Sequence, residues 1–209
     1  MSWKDSCGLQ GVGRMGLDYG YEIFVPARNV GKALIALSDL APRTDRVPPL
    51  ALTLPGGGRL SVPFTSHFRS EPVDCSASET LELDTSIMSG VDDAVREYVA
   101  GRGLEPDELG RVQIGYIYLT VRFAPAQHPA HAALEFTAAT SGMSRMFERS
   151  AAVWEVFTGL TAASGGVCCL LDTESDTFQI CWLNGRPVRD TVPGPNFADH
   201  ADLVATWPG

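Results

Sequence analysis

The chain has 209 residues, of which 44% are hydrophobic and 20% charged, and its formal net charge is −9 at pH 7. This is the composition of a globular protein with a sizeable core, and no apolar run approaches the roughly 18 residues of a membrane span. The acidic balance argues against nucleic acid and anionic membrane as partners, because both bind basic surfaces.

The N-terminal residues carry no clear element of secondary structure, and we expect residues 1–14 to be a disordered extension, with Met15 as an alternative start. The glycine pattern of residues 11–16 resembles a dinucleotide-binding turn, but such a turn follows a strand and opens a helix. Here a strand follows instead, so we expect no nucleotide cofactor. Five cysteines and the absence of a signal-peptide pattern indicate a cytoplasmic protein without a disulfide framework.

The first structured unit is predicted over residues 19–64. Residues 19–25 form a strand that Pro26 closes, and Asn29 is a suitable N-cap for a helix that Pro42 ends. Two short strands, residues 50–54 and 59–64, flank a proline and three glycines, which is typical of a hairpin. The order is strand, helix, strand, strand.

The middle of the chain is predicted to hold a loop over residues 66–78 and an alternating strand over residues 81–87. Ser89, three residues before Asp92, indicates a capping start for a short helix that extends to Val99. A long strand over residues 111–123 follows, and the proline-containing residues 124–129 are predicted to be a loop.

The second unit, residues 131–183, has the same predicted order as the first. A strand around Glu135 precedes a helix of about five turns from Met143 to Thr161, with Ser150 inside its apolar stripe. Glycines 165 and 166 end this helix, and strands over residues 167–171 and 178–183 follow. Residues 193–209 are predicted to be an irregular tail anchored by Phe197 and Trp207.

Apolar helices of this kind need a sheet to cover, so the chain is predicted to be an α+β two-layer sandwich. We expect a mixed, mostly antiparallel sheet with about three helices on one face and a single domain over residues 15–209. Units 19–64 and 131–183 then share an architecture, which convergence on a common motif explains about as well as duplication.

Two groups of residues are candidates for metal or thiol chemistry. His128 and His131 are close in sequence, but a metal site needs three or four ligands, so we expect an exposed loop and no metal. A hairpin symmetric about residues 174 and 175 would place Cys168 opposite Cys181 and Cys169 opposite Ile180. Packed thiols are the expected outcome, because a catalytic thiolate needs a base and partial exposure.

The acidic residues supply the candidate binding sites. Residues 71–108 contain eleven acidic residues and two arginines, and so account for the entire net charge. Alternation in the strands predicts that several carboxylates share one sheet face, with Arg122 and Tyr116 or Tyr118 beside them. The candidate binding residues are Glu22, Glu82, Asp84, Asp92, Asp93 and Glu135.

Two hypotheses on function follow. The preferred one is a non-catalytic protein-binding domain, immunity-like or regulatory, whose segment 71–108 docks a basic protein partner. Immunity proteins are an analogy of class and composition only. The alternative is a small-molecule-binding protein, or a hydrolase-type enzyme that uses the strand carboxylates or a cysteine. The sequence does not determine the oligomeric state.

Overall fold

The computed structural model describes residues 16–43 and 48–208, so the predicted extension over residues 1–14 lies outside the described residues. Ten strands and five helices occur in these ranges. They are β1 (Gly20–Pro26), α1 (Val30–Ser38), β2 (Leu50–Thr53), β3 (Arg59–Val62), β4 (Val73–Asp74), β5 (Thr80–Gly90), α2 (Asp93–Val99), β6 (Arg111–Arg122), β7 (His131–Ala138), α3 (Ser141–Arg149), α4 (Ala151–Ser164), β8 (Cys168–Asp172), β9 (Thr177–Leu183), β10 (Arg186–Pro193) and α5 (Ala198–Ala205).

Seven strands form the main sheet in the order β10-β9-β8-β1-β7-β6-β5, and every neighbouring pair is antiparallel. A second sheet has the order β3-β2-β4, in which β2 and β4 run parallel. The predicted α+β sandwich with a mostly antiparallel sheet is therefore confirmed.

The larger core lies between one face of the main sheet and the helices α1 to α4, and the small sheet contributes to it. Tyr21 of β1 is fully buried there, with its ring stacked on Phe157 at a centroid distance of 4.1 Å. The Tyr21 hydroxyl donates a 3.0 Å hydrogen bond to the carbonyl of Phe147, so burying this polar group leaves no unpaired donor.

The other face of the main sheet carries a smaller core formed with α5. Phe24, Leu170 and Ile180 of the strands pack with Leu203 and Trp207. The tail is therefore not irregular as predicted, because residues 198–205 are helical and place apolar side chains on the sheet. Trp207 is buried, whereas Phe197, the other predicted anchor, is 52% exposed.

The long helix predicted from Met143 to Thr161 is in fact two helices, α3 and α4, which meet at Ser150. The Ser150 hydroxyl accepts a hydrogen bond from the amide of Val153 and donates to the Asp92 carboxylate at 2.8 Å. Ser150 is thus an N-cap rather than a polar residue within one stripe. As predicted, α4 ends at a glycine, Gly165, whose φ is +70°.

Asp92 is also the N-cap of α2, since its Oδ1 accepts from the amide of Val95 at 2.9 Å. Its Oδ2 accepts from the amide of Ala152 at 3.0 Å, in the first turn of α4. One carboxylate therefore joins the starts of two helices. The expected capping role of Ser89 was wrong, because Ser89 is a buried residue of β5.

The two predicted units differ in where their hairpins lie. The hairpin β8–β9 extends the main sheet, whereas β2 and β3 belong to the small sheet. Strand β1 pairs with β7 on one side and with β8 on the other, so no edge of β1 remains for a hairpin from the first unit. The shared order of elements thus does not give the two units the same three-dimensional arrangement.

The main sheet ends in β10 on one side and β5 on the other. β10, which was not predicted, contains Pro187 and Pro193 and has a register shift after Pro187. The outer edge of β5 bonds to other parts of the chain: Asp84 exchanges backbone hydrogen bonds with Thr65, and the Met88 amide donates to the Leu40 carbonyl. The predicted loop 66–78 also contains the two-residue strand β4.

Candidate functional site

Three of the predicted strand acids lie in one row across the face of the main sheet opposite α1 to α4. Glu22 is directly opposite Glu135, Glu135 is opposite Thr120, and Thr120 is opposite Glu82. Because side chains alternate between the two faces of a sheet, these carboxylates all point away from the larger core. The prediction from alternation thus agrees with the observed register.

Arg122 joins this row, as the sequence predicted. Its Nη1 lies 3.4 Å from Oε1 of Glu22, and its Nη2 makes an ion pair with the carboxylate of Glu135. The Glu22 side chain is 22% exposed, less than that of Glu135 at 36%. The guanidinium therefore serves two carboxylates, and Glu22 is the more buried of them.

Burial, and after it the neighbouring charge of Glu135, raise the pKa of Glu22 to about 7, although Arg122 partly opposes both effects. Burial also raises the pKa of Asp172, which lies beside this pair. A small recess at this point is lined by Asp18, Glu22, Glu135, Asp172 and Arg122. With four carboxylates and one guanidinium, the recess has an excess of negative charge.

Glu22 and Arg122 also line a larger cavity of about 640 Å³, which we call the acid cavity. Its walls come from β1, β6, β7 and β9, from the loop after β6, and from α5 and the segment preceding it. Most of the wall is apolar. The side chains are those of Glu22, Phe24, Arg122, Pro125, Gln127, His128, Ala133, Phe178, Pro195, His200, Ala201, Val204 and Ala205.

Two histidines, His128 and His131, pack against Trp207 next to the cavity, and a third, His200, lies beside His128. The ring of His128 lies 5.0 Å from that of Trp207 and 6.2 Å from that of His200, and the ring of His131 lies 5.4 Å from Trp207. All three are buried, with 9%, 7% and 5% exposure for His128, His131 and His200, so the predicted exposed loop at residues 128–131 was wrong.

Burial lowers the pKa of each of these three histidines, and for His128 the neighbouring His200 and His131 lower it further. One ring nitrogen of each histidine, together with the indole nitrogen of Trp207, lacks a hydrogen-bond partner within residues 16–43 and 48–208. Neutral imidazoles suit this apolar environment. The described residues contain no group of three or more histidine, cysteine or acidic side chains arranged to hold a metal ion.

The cysteine pairing predicted in the β8–β9 hairpin was wrong. Cys168 lies opposite Leu183 and Cys169 opposite Trp182, and a register shift follows between Cys169 and Leu170. Cys169 and Cys181 consequently share the larger core, while Cys168 lies in the smaller one. All three thiols are buried, and burial raises the pKa of Cys168 and Cys169, which disfavours the thiolate that nucleophilic catalysis requires.

The four acidic residues predicted to dock a partner are divided between the two ends of β5. Glu82 is exposed, with His67 3.6 Å away, and Asp84 accepts hydrogen bonds from Thr65 and from the amide of Phe68. Beyond the other end of the strand, roughly 25 Å away at 3.3 Å per residue, lie Asp92 and Asp93. Asp93 pairs with Arg96, and Asp92 caps two helices as described.

An exposed aromatic cluster accompanies Glu82 and Asp84. Tyr116 and Phe68 are each 61% exposed and meet edge to face at a centroid distance of 5.6 Å, and Tyr118 is 44% exposed. Tyr118 lies directly opposite Asp84. The predicted polar, aromatic-containing face is therefore present on β5 and β6, and it lies outside the acid cavity.

Sequence reasoning missed several residues that line the acid cavity: His128, Phe178, His200, Val204 and Ala205. The available signal was weak. Leu203, Val204 and Trp207 recur at the spacing of a short helix, but Pro193 and Pro195 precede them and suggested an irregular segment. Only the chain's return across the sheet brings these residues to Glu22.

No family model matches this chain, and neither the curated proteins nor the solved structures contain a significant match to it. Among the described residues, no helix has both the length and the apolar character needed to cross a membrane. The geometry of the site is therefore the only basis for a functional proposal.

Proposed function

We propose that this protein is a non-catalytic binding protein for a small organic cation, an amine attached to an apolar group. The observation that carries the proposal is the position of Glu22: a carboxyl with its pKa raised to about 7 lines a largely apolar cavity of about 640 Å³. Pockets of this size and character accommodate small organic molecules.

The charge balance around Glu22 favours a cation over an anion. Glu22, Glu135 and Asp172 lie close together, and among the described residues Arg122 is the one basic side chain that lines their recess. An ammonium group beside Glu22 would favour its ionised form and lower its pKa. A carboxylate ligand would instead add to the repulsion that already raises the pKa of Glu22.

The walls account for the apolar part of the proposed ligand. Phe24 and Phe178 supply aromatic surface, and Ala133, Ala201 and Val204 supply aliphatic surface. His128 and His200 line the same cavity. Burial lowers the pKa of both imidazoles, so their rings remain neutral at pH 7 and do not repel a cation. Removal of this surface from water contributes to affinity, and the carboxyl provides selectivity.

Calorimetric titration at pH 7 with three ligands that share an aromatic group tests the proposal: 2-phenylethylamine, 2-phenylethanol and 3-phenylpropionate. We expect the amine to bind at least about tenfold more tightly than the alcohol, as one charge-assisted hydrogen bond contributes more than 1.4 kcal/mol. Binding of the amine should also release protons from Glu22, because the ammonium group lowers the pKa of this carboxyl. The buffer takes up these protons, so the measured heat of binding should depend on the ionisation enthalpy of the buffer.

Two variants make this test specific. Glu22→Gln should lower the affinity for the amine about tenfold while leaving that for the alcohol nearly unchanged. Glu82→Gln is the matched control, because Glu82 lies in the same row of the same sheet face but outside the cavity. Tighter binding of 3-phenylpropionate than of the amine would contradict the proposal.

Docking of a basic protein segment is a second candidate function, favoured by the exposed aromatic cluster on β5 and β6. Phe68, Tyr116 and Tyr118 stand beside Glu82 and Asp84, and aromatic faces with nearby carboxylates attract lysine and arginine side chains. A synthetic lysine- and arginine-rich peptide should bind at low salt and lose affinity at high salt.

Substitution separates this candidate from the first. Glu82→Lys together with Tyr116→Ala should abolish binding of the basic peptide without changing the affinity for 2-phenylethylamine, whereas Glu22→Gln should have the reverse effect. Equal peptide binding by the double variant and the original protein would remove the docking candidate.

A further inference from the structure

A groove between α2 and α3 gathers three arginines, which is unexpected in a chain of net charge −9. The groove has a volume of about 240 Å³, and Tyr98, Arg102, Arg145 and Arg149 are among its lining residues, with Glu97 as the one acidic side chain. We call it the arginine groove. α2 and α3 cover the sheet face opposite the acid cavity, so the two depressions are separate.

The positive charge in this groove is largely uncompensated. Arg149 lies 3.4 Å from Glu97. Neither Arg102 nor Arg145 makes an ion pair with any carboxylate in the part of the chain that the structure describes. Three guanidinium groups thus face a single carboxylate, and a net positive charge remains where an anion can enter.

Arg102 is held in place by two contacts with Tyr98. Its Nε donates a 2.8 Å hydrogen bond to the Tyr98 carbonyl, and its guanidinium carbon lies 4.3 Å from the centroid of the Tyr98 ring. Tyr98 itself is 8% exposed and belongs to the larger core. The guanidinium therefore rests on a fixed surface while its two terminal nitrogens remain available, which reduces the entropy that binding would cost.

The chemistry of this cluster matches a phosphate group. A planar guanidinium binds two phosphate oxygens at once, and two unpaired guanidinium groups match the double negative charge of a phosphate monoester at neutral pH. The groove is larger than a phosphate group, so it has room for part of the attached molecule. We propose that the arginine groove binds the phosphate group of a small phosphate monoester.

Titration of the full chain with inorganic phosphate and with phenyl phosphate tests this proposal, and phenol serves as the uncharged counterpart. We expect phenyl phosphate to bind more tightly than inorganic phosphate. Phenol should not bind the groove, either in the original protein or in the variants. Equal affinity for phenyl phosphate and inorganic phosphate would indicate a site for inorganic phosphate and would overturn the proposal that the ligand is a phosphate monoester.

Three variants locate the binding. Arg102→Gln and Arg145→Gln should each weaken binding of phenyl phosphate about tenfold or more, because each removes a charged donor. Arg96→Gln is the matched control: Arg96 is an exposed arginine of α2, six residues before Arg102, but it pairs with Asp93 and lies outside the groove. The affinity of the Arg96→Gln variant for phenyl phosphate should stay within about twofold of that of the original protein, because a surface charge outside the binding site contributes little.

The result that would overturn the proposal is equally specific. If Arg102→Gln and Arg145→Gln retain full affinity, or if Arg96→Gln weakens binding as much as they do, then the arginines of the groove are not the site. Melting temperatures of the three variants, which alter exposed side chains, verify that each remains folded. Absence of phenyl phosphate binding by the original protein would also refute the site.

Discussion

The acid cavity and the arginine groove lie on opposite faces of the main sheet, and they are built from different parts of the chain. Glu22 and Arg122 of the cavity and Glu135 of the adjoining recess project from three neighbouring strands, so the hydrogen-bonded register fixes their spacing. The arginines of the groove are exposed: Arg145 and Arg149 belong to α3, and Arg102 follows the end of α2. The strand carboxylates are therefore constrained by the backbone, whereas the arginines depend on how α2 and α3 are placed.

The charge on each side shows the same contrast. Burial and the neighbouring Glu135 raise the pKa of Glu22 to about 7, and the recess beside the cavity is lined by four carboxylates and one arginine. The groove has too few carboxylates for its arginines. The two depressions therefore differ in local charge within a chain of net charge −9, and substitutions can alter either one while the other is left intact.

Trp207→Ala should have the largest effect, and it should act on the cavity side. Trp207 is 8% exposed and contacts Phe24, His128 and His131. Its truncation should lower the free energy of unfolding by about 3 kcal/mol, the usual cost of removing a large buried aromatic side chain. Urea unfolding measures the loss. Binding of 2-phenylethylamine should weaken, while phenyl phosphate binding should persist.

Asp92→Ala should have the next largest effect, on the groove side. The change removes the cap of α2 and the bonds to Ser150 and to the first turn of α4. We expect a loss of about 2 kcal/mol, since a single N-cap contributes roughly 0.5–2 kcal/mol. Thermal unfolding gives the value. If amine binding fell and phosphate binding did not, the assignment of Asp92 to the groove side would be wrong.

The pH dependence of stability provides a smaller, directional test at Glu22. Its pKa is raised from an ordinary 4.5 to about 7 in the folded protein, so its contribution is fully present below pH 4.5 and is lost as pH rises towards 7. Glu22→Gln removes this loss. The stability of the variant relative to the original protein should therefore rise between pH 4.5 and 7, as measured by urea unfolding across that range.

The three buried histidines, His128, His131 and His200, should have the smallest effect on the pH dependence of stability, and its sign is opposite to that of Glu22. Burial lowers their pKa values below 6.5, so the stability they confer is present above that pH and is lost as pH falls. His200→Gln should reduce the loss on acidification, seen as a flatter decline in unfolding free energy below pH 6.5. His67→Gln, at a side chain that is 74% exposed, is the control and should leave the decline unchanged.

Alternation and helical periodicity predicted the principal strands and the sides on which their residues lie. Glu22, Glu135 and Arg122 could be placed on one face because a strand's side chains alternate whatever its neighbours are. The observed register then brings them into contact. Strand order was beyond such reasoning, because it depends on which distant strands occupy the two edges of β1.

Long-range contacts explain the features that the sequence did not predict. The break at Ser150 depends on Asp92, 58 residues earlier, so the local pattern continues through it without interruption. The bulge that displaces Cys181 is likewise invisible in the residues of the hairpin. The acid cavity needs α5, where Leu203 and Val204, with Trp207 just after the helix, give too short a pattern to identify after two prolines. Only the strand half of the site was therefore predictable.

The edges of the main sheet also determine how the protein behaves at high concentration. An open strand edge is a template for pairing with another chain, which is how many sheet proteins aggregate. Two prolines and a register shift interrupt β10, and the backbone of β5 is bonded at Asp84 and Met88 to other segments of its own chain. Neither edge offers a continuous row of free donors and acceptors, so edge-to-edge polymerisation of the folded protein is disfavoured.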